Sequence, residues 1–191
     1  MEIVVARYNE SIDWTRGLPY KVHVYNKGDA LEGTIPLENI GRESHTYLHF
    51  LVENYNSLPE CVLFLQGNPF DHSPNIIANL NHLINNTDLH IDFVYLSELM
   101  YITTLGEEKY AIGDLFINIE NIYEKIFGIR GVPDKQFVFG AGAEFVLSKT
   151  NILKNPKEFY ENIVKMLEYS DNPIEGHFVE RFHKLIFCEQ L

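Results

Sequence analysis

The sequence predicts an α/β domain with a mostly parallel central sheet of about six strands, flanked by helices. Short apolar runs alternate along the chain with longer segments whose apolar residues recur at helical spacing. The run at residues 61–65 contains five consecutive apolar residues, which is typical of a strand buried on both faces of a parallel sheet. We therefore expect the first strand, at residues 2–6, and the third, at residues 61–65, to occupy the middle of the sheet.

Three strands are predicted in the first third of the chain, each a short apolar run closed by polar residues. They cover residues 2–6, 21–25 and 61–65. The helix before the third strand covers residues 41–55, where apolar and aromatic side chains recur at i, i+3 and i+4 until Pro59 prevents its continuation. A helix between neighbouring strands favours parallel pairing.

The rest of the chain continues the alternation of helices and strands. Helices are predicted at 75–84, 114–127, 156–169 and 176–187, and strands at 91–96, 136–139 and 144–147. Residues 97–113 have no clear period and are predicted to form a loop. Gly140 and Gly142 separate two short strands, so antiparallel pairing is open there. We expect one domain spanning residues 1–191.

Composition and charge exclude several classes of protein. The chain has 191 residues, of which 46% are apolar, and this is enough for a substantial core. Its net charge of −12 argues against nucleic acid or an anionic membrane as a partner. No run approaches the roughly 18 apolar residues of a transmembrane segment. The first residues resemble a strand rather than a signal peptide, so we expect a soluble, cytoplasmic protein.

Polar side chains follow four predicted strand ends. The chain places there Arg7, Asn9, Glu10, Asn26, Lys27, Gln66, Gly67, Asn68, Asp71, His72, Gly140, Gly142 and Glu144. The carboxyl ends of parallel strands share one edge of a sheet, so these groups should converge on one crevice. The chain contains no GxGxxG after the first strand and no GxxxxGK[ST], which argues against a dinucleotide fold or a P-loop.

Arg42 indicates an anion site at the start of the first long helix. Backbone N–H groups at a helix start bind phosphate well, whereas a cation there is mildly unfavourable against the helix dipole. The alternative is that Arg42 only pairs with Glu38 or Glu43.

Three further groups have both a functional and an ordinary interpretation. Asp71 could bind a cation or cap the following helix. His177 and Glu180 fall on one face of the last helix and could supply a metal ligand and a base, or form a solvated face. Trp14 with Tyr8 could stack on a nucleobase or sugar, or simply pack.

Six segments taken in order resemble DUF3431, an uncharacterised domain family. They are VVARYNESIDW, VYNKG, NIGRESHTYLHFLVENYNSLPE, LFLQGNPFDH, GAGAEFVLSKTNI and EGHFVERFHKLIF. The resemblance runs from about Val4 to Phe187. The same layout resembles nucleotide-sugar glycosyltransferases of the GT-A fold, and is similar to viral glycosyltransferases that build capsid glycans. A viral source would imply the host cytoplasm.

The resemblance implies transfer of a sugar from a nucleoside diphosphate sugar, with a UDP-sugar as first choice, to a hydroxyl of a glycan or glycoprotein acceptor. It implies a donor site formed by Arg7, Tyr8, Asn9, Lys27, Arg42, Gln66 and Gly67. Glu144 and Glu180 are the candidates for a general base if the enzyme inverts configuration. A retaining enzyme needs no dedicated base.

The metal site departs from the GT-A pattern, because the chain has no Asp-x-Asp. We expect Asp71, with His177 as a distant partner, to hold Mn²⁺ or Mg²⁺. We prefer a metal because only 15 basic residues offset 27 acids. Otherwise Arg7, Lys27 or Arg42 would neutralise the leaving diphosphate.

Two other functions stay open at this point. A metal-dependent phosphoester hydrolase would use the same crevice, and a non-catalytic module would only bind a nucleotide or carbohydrate there.

Overall fold

A computed structural model describes residues 1–85, 91–107, 109–112 and 115–189. The strands are β1 (Glu2–Arg7), β2 (Lys21–Asn26), β3 (Ile35–Pro36), β4 (Cys61–Gln66), β5 (Phe93–Tyr95), β6 (Met100–Thr104), β7 (Lys109–Ile112), β8 (Leu115–Asn118), β9 (Gln136–Gly140) and β10 (Phe145–Ser148). The helices are α1 (Arg42–Asn54), α2 (Ile76–Asn85), α3 (Ile119–Phe127), α4 (Lys149–Ile152), α5 (Lys157–Leu167) and α6 (Ile174–Cys188).

The central sheet has six strands in the order β3-β2-β1-β4-β10-β5. The first four of these strands are parallel to one another, and β10 runs antiparallel to both of its neighbours. The predicted six-stranded, mostly parallel sheet is therefore confirmed, with β1 and β4 at its middle. Short β6–β9 and β7–β8 ribbons accompany it.

The order of the strands identifies where a ligand crevice should form. From β1 the chain proceeds outward to β2 and β3, and then returns through α1 to β4 on the other side of β1. Successive connections therefore leave β1 and β4 in opposite directions. In open α/β sheets a crevice forms at such a point, outside the carboxyl ends of the two strands.

Both faces of the sheet are buried, which explains the unbroken apolar runs of β1 and β4. Val4 and Phe64 lie in a large core with residues of α1, α5 and α6. Val5 and Leu65 lie in a smaller core with residues of α2 on the opposite face. The central strands are packed on both faces, and the polar groups that follow them lie at the carboxyl ends of these packed strands.

The predicted loop at residues 97–113 is wrong, because it contains β6 and β7. The pairing partner of β6 is β9, more than thirty residues later, so the local sequence pattern does not predict this strand.

The predicted helix at 114–127 begins only at Ile119. There the Asn118 side chain accepts a hydrogen bond from the Glu120 N–H at 2.8 Å and caps the helix. Asp114 lies outside the described residues.

The remaining boundaries differ by a few residues. The fourth predicted strand shortens to β5, and the last helix begins at Ile174, directly after Pro173. Among the described residues, no helix has both the length and the apolar character needed to cross a membrane.

Candidate functional site

The first cavity, of about 210 Å³, opens at the carboxyl ends of β1, β2 and β4. Its walls are Ala6, Arg7, Tyr8, Glu10, Lys27, Asn39, Arg42, Glu43, Gln66, Gly67, Asn68 and Asp71. All but one of the residues predicted for a donor site lie there. The exception is Asn9, whose Oδ1 accepts a hydrogen bond from the Asp29 backbone N–H at 2.8 Å. Asn9 thus joins two loops behind the cavity.

Arg7 shapes the cavity from a buried position at the end of β1. Its Nε donates to the Glu10 carbonyl at 3.0 Å. Its Nη1 contacts the Tyr8 carbonyl at 2.8 Å, the Asn26 Oδ1 at 2.5 Å and the Asp29 carbonyl at 3.3 Å. Arg7 therefore fastens the loops after β1 and β2 to each other.

Two glycines let these loops approach the sheet edge. A Cβ atom at Gly28 would lie 1.9 Å from the Tyr8 carbonyl oxygen, and one at Gly67 would lie 2.5 Å from the Glu10 Oε2. The first contact is with backbone and leaves no room for any other residue. Gly67, which was predicted as a donor-site residue, leaves room for the Glu10 carboxylate beside the sheet.

Lys27 holds the start of α1 against the end of β2. Its Nζ donates to the carbonyls of Ile40 and Arg42 at 2.5 and 2.6 Å. Burial lowers the pKa of Lys27 to about 8. Gly41 and Arg42 both adopt left-handed backbone conformations, with φ of 67° and 55°. Such a conformation costs a non-glycine residue about 1–2 kcal/mol, so Lys27 stabilises a turn that Arg42 alone disfavours.

The Arg42 guanidinium lies between the first cavity and a second one, and contributes to both walls. Its Nη1 donates to the Asn172 Oδ1 at 3.2 Å and to the His177 Nε2 at 3.3 Å. Carboxylates flank it on two sides, with its Nε 3.6 Å from the Glu43 Oε2 and its Nη2 3.8 Å from the Glu180 Oε2. The buried Nε has no hydrogen-bond partner within the described chain. Arg42 thus pairs with Glu43, as one interpretation of the sequence expected, and it also faces the cavities.

The second cavity has a volume of about 680 Å³. Of the two bases predicted from the sequence, Glu180 lines this cavity and Glu144 does not. The cavity is lined by Arg42, Tyr101, Ile102, Thr103, Phe139, Ala141, His177, Glu180 and Arg181. The Glu180 Oε1 accepts a hydrogen bond from the Gly142 N–H at 3.1 Å. Burial, and then the nearby Glu43, raise the pKa of Glu180, and Arg42 opposes the shift. A carboxylate in this environment is a competent proton acceptor.

Glu144, the other predicted base, lies in neither cavity wall and has no exposed surface. The Ser73 hydroxyl lies 3.0 Å from the Leu96 carbonyl oxygen and 2.5 Å from the Glu144 Oε2. A hydroxyl carries a single proton, so when Ser73 donates to Leu96 the second contact requires a protonated Glu144 that donates to Ser73. Burial raises the pKa of Glu144 to about 8, in agreement with this arrangement. In this structure Glu144 contacts Ser73 beneath the site and lines neither of these two cavities.

The two predicted metal ligands lie in different cavities. Asp71 ends the short 3-10 turn after β4 and exposes its carboxylate to the first cavity. His177 lies in the second cavity, where burial and the neighbouring Arg42 lower its pKa and its Nε2 accepts from Arg42. Across the described ranges, no group of three or more His, Cys, Asp or Glu side chains is arranged to hold a metal ion. Asp71 and His177 therefore do not come together as a pair of ligands in this structure.

A third cavity, of about 520 Å³, adjoins the first through Glu10 and Asn68, which line both. Its aromatic walls are Trp14 and Phe70, whose rings meet edge to face at 6.1 Å. The Trp14 Nε1 donates to the Gly67 carbonyl at 2.9 Å, which anchors the ring beside the first cavity. The sequence singled out Trp14 but missed Phe70, although Phe70 stands in the polar segment that follows β4.

The chain matches the family described as "Protein of unknown function (DUF3431)" over residues 3–191. The match covers nearly the whole chain, and the chain belongs to this family. A search of curated proteins found no match.

A protonated Glu144 makes the stability of the protein depend on pH. Its pKa is 4.5 in the unfolded chain and about 8 in the fold, so the folded state binds the extra proton between these values. As pH rises across that window, the contribution of this group to the free energy of unfolding should fall by about 1.4 kcal/mol per pH unit.

Glu144→Gln keeps a neutral group at this position. Its free energy of unfolding, measured with urea, should therefore rise relative to that of the natural protein as pH increases from 5 to 8. Glu158→Gln, on the exposed face of α5, is the control. A difference between Glu144→Gln and the natural protein that stays constant with pH would contradict the assignment.

Proposed function

We propose that this chain is a glycosyltransferase that moves a sugar from a nucleoside diphosphate sugar, with a UDP-sugar as first choice, to a hydroxyl acceptor. The proposal starts from the sequence resemblance to nucleotide-sugar glycosyltransferases. The observation that carries it is the meeting of two cavities at the Arg42 guanidinium, outside the carboxyl ends of β1 and β4. A cation at that junction is suited to the charge that develops between a donor and an acceptor.

The donor would occupy the first and third cavities. The first cavity has room for a diphosphate beside Arg42. The third cavity continues from it and offers Trp14 and Phe70 as apolar, aromatic contacts for the nucleoside. The carboxylate of Glu10, which lines both cavities, can accept hydrogen bonds from ribose hydroxyls. The loop fastened by Arg7 would thus form one side of the donor site.

The acceptor would enter from the second cavity. Its hydroxyl oxygen forms a bond to the anomeric carbon of the sugar, and the bond between that carbon and the diphosphate oxygen breaks. The diphosphate leaves with the electron pair, and Arg42 stabilises its added negative charge. Glu180, which lines the second cavity, takes the proton of the acceptor hydroxyl. This assignment corresponds to an inverting reaction.

A divalent cation fits this arrangement only together with the donor. Asp71 presents one exposed carboxylate in the first cavity, and Mg²⁺ in proteins is commonly held by one or two carboxylates plus substrate phosphates. When bound there, Mn²⁺ or Mg²⁺ would neutralise charge on the diphosphate. Arg42, which also lines this cavity, would perform the same task.

Arg42→Ala should weaken donor binding. Charge-assisted hydrogen bonds contribute about 1.5–3 kcal/mol, which corresponds to a rise of roughly 10- to 150-fold in the Kd for UDP. Trp14 is the single tryptophan of the chain, so quenching of its fluorescence reports binding directly at the third cavity. Arg130→Ala is the matched control, because Arg130 is an exposed arginine that pairs only with Glu124 among the described residues.

Equal affinity for UDP in Arg42→Ala and Arg130→Ala would show that Arg42 does not contribute to donor binding. Absence of any fluorescence change with UDP in the natural protein would count against the third cavity as the nucleoside site. Release of phosphate from simple phosphate esters, with UDP unbound, would instead indicate a phosphoester hydrolase.

Mn²⁺ should strengthen UDP binding through Asp71. Because the ion depends on phosphate oxygens, the protein alone should bind Mn²⁺ weakly, and calorimetry should show tighter UDP binding when Mn²⁺ is present. Asp71→Asn should remove this gain while leaving UDP affinity in EDTA unchanged. If the natural protein binds UDP equally well in EDTA and in Mn²⁺, the donor site works without metal and Arg42 with Lys27 explains diphosphate binding.

A further inference from the structure

Strand β6 has one edge available for pairing. It forms a two-stranded ribbon with β9, and no described strand pairs with its other edge. Three consecutive residues of β6, Tyr101, Ile102 and Thr103, line the second cavity. The second cavity therefore borders β6 along these three residues.

The hydrogen bonds at the two ends of the ribbon show which backbone groups face that edge. The Ala141 N–H donates to the Leu99 carbonyl at 3.0 Å, and the Leu105 N–H donates to the Lys135 carbonyl at 3.1 Å. In this register, odd-numbered residues of β6 exchange hydrogen bonds with β9. The N–H and C=O groups of Met100, Ile102 and Thr104 therefore point to the unpaired edge. They repeat at the spacing of an extended chain.

Apolar side chains accompany these groups on both faces of β6. Ile102 is 68% exposed and Tyr101 is 49% exposed. Tyr101 stacks on Phe139 of β9 at 5.1 Å, and both rings lie in the wall of the second cavity. Exposed apolar residues on an open strand edge favour pairing with another extended chain.

We propose that the acceptor is an extended polypeptide that adds as a strand to the unpaired edge of β6 and presents a serine or threonine hydroxyl to Glu180. This inference rests on the proposed function and names its acceptor. A polypeptide matches a row of backbone donors and acceptors at strand spacing, which a glycan does not. Exposed carboxylates at Glu98 and Glu107 flank the two ends of β6 and favour basic residues at the ends of the bound segment.

The test uses the fluorescein-labelled peptide acetyl-Lys-Val-Thr-Val-Thr-Val-Lys-amide, whose binding to the whole chain is followed by fluorescence anisotropy. Ile102→Pro removes an edge N–H without removing a bond to β9, and should raise the peptide Kd about tenfold or more. The matched variant Ile102→Ala keeps that N–H and should raise it less. The same peptide with all internal backbone nitrogens methylated cannot donate backbone hydrogen bonds and should not bind the natural protein. This comparison needs no substitution in the protein.

Equal binding of the methylated and unmethylated peptides, or equal effects of the two substitutions at Ile102, would overturn strand addition. Concentration-dependent self-association that Ile102→Pro abolishes would overturn it as well, because the edge would then serve a second copy of the chain. UDP binding is measured on the same samples through Trp14. If the natural protein binds UDP but not the peptide, only this inference is overturned. If the natural protein does not bind UDP, the result counts against the proposed function.

Discussion

The candidate site depends on the two hydrogen bonds that Lys27 donates to the carbonyls of Ile40 and Arg42. Lys27 follows β2, beside the carboxyl end of β1, and the two carbonyls belong to the turn that starts α1. These bonds therefore join the carboxyl end of β2 to the start of α1, and they stabilise the left-handed conformation of Gly41 and Arg42. That conformation sets the direction in which the Arg42 side chain leaves the backbone, and so determines where the two cavities meet. Partial burial of the Lys27 amine removes water from the charged form and lowers its pKa to about 8, while the nearby Glu43 opposes this shift.

A chain with a net charge of −12 builds this site by neutralising or pairing its acids nearby. Glu144 lies buried beneath the cavities and retains its proton near neutral pH. Glu180 lies opposite Arg42 and accepts a backbone hydrogen bond from Gly142. Asp71 remains exposed in the first cavity. Asp71 thus lines the first cavity and Glu180 the second, and Arg42 lines both.

The sequence was sufficient to predict the part of the site that depends on parallel strands. The apolar runs of β1 and β4 are unbroken because both faces are buried, and parallel pairing then brings Arg7, Gln66 and Asp71 to one edge. The sequence was insufficient for β6, which is apolar on both exposed faces and pairs with a distant segment. It also misplaced Glu144, because a local pattern does not reveal the burial of a single carboxyl that tertiary packing encloses.

The activity that we propose for the cavities meeting at Arg42 is transfer of a sugar from a nucleotide donor. The most direct measurement is the release of UDP from a panel of UDP-sugars, compared among the natural protein, Glu180→Gln and Arg130→Ala. Water can serve as a slow acceptor, so we expect UDP release from at least one donor. This release should be retained in Arg130→Ala and strongly reduced in Glu180→Gln. If the natural protein releases no UDP from any UDP-sugar in the presence of Mn²⁺, the proposed sugar transfer is contradicted. Equal release by Glu180→Gln would contradict the role of Glu180 as the base.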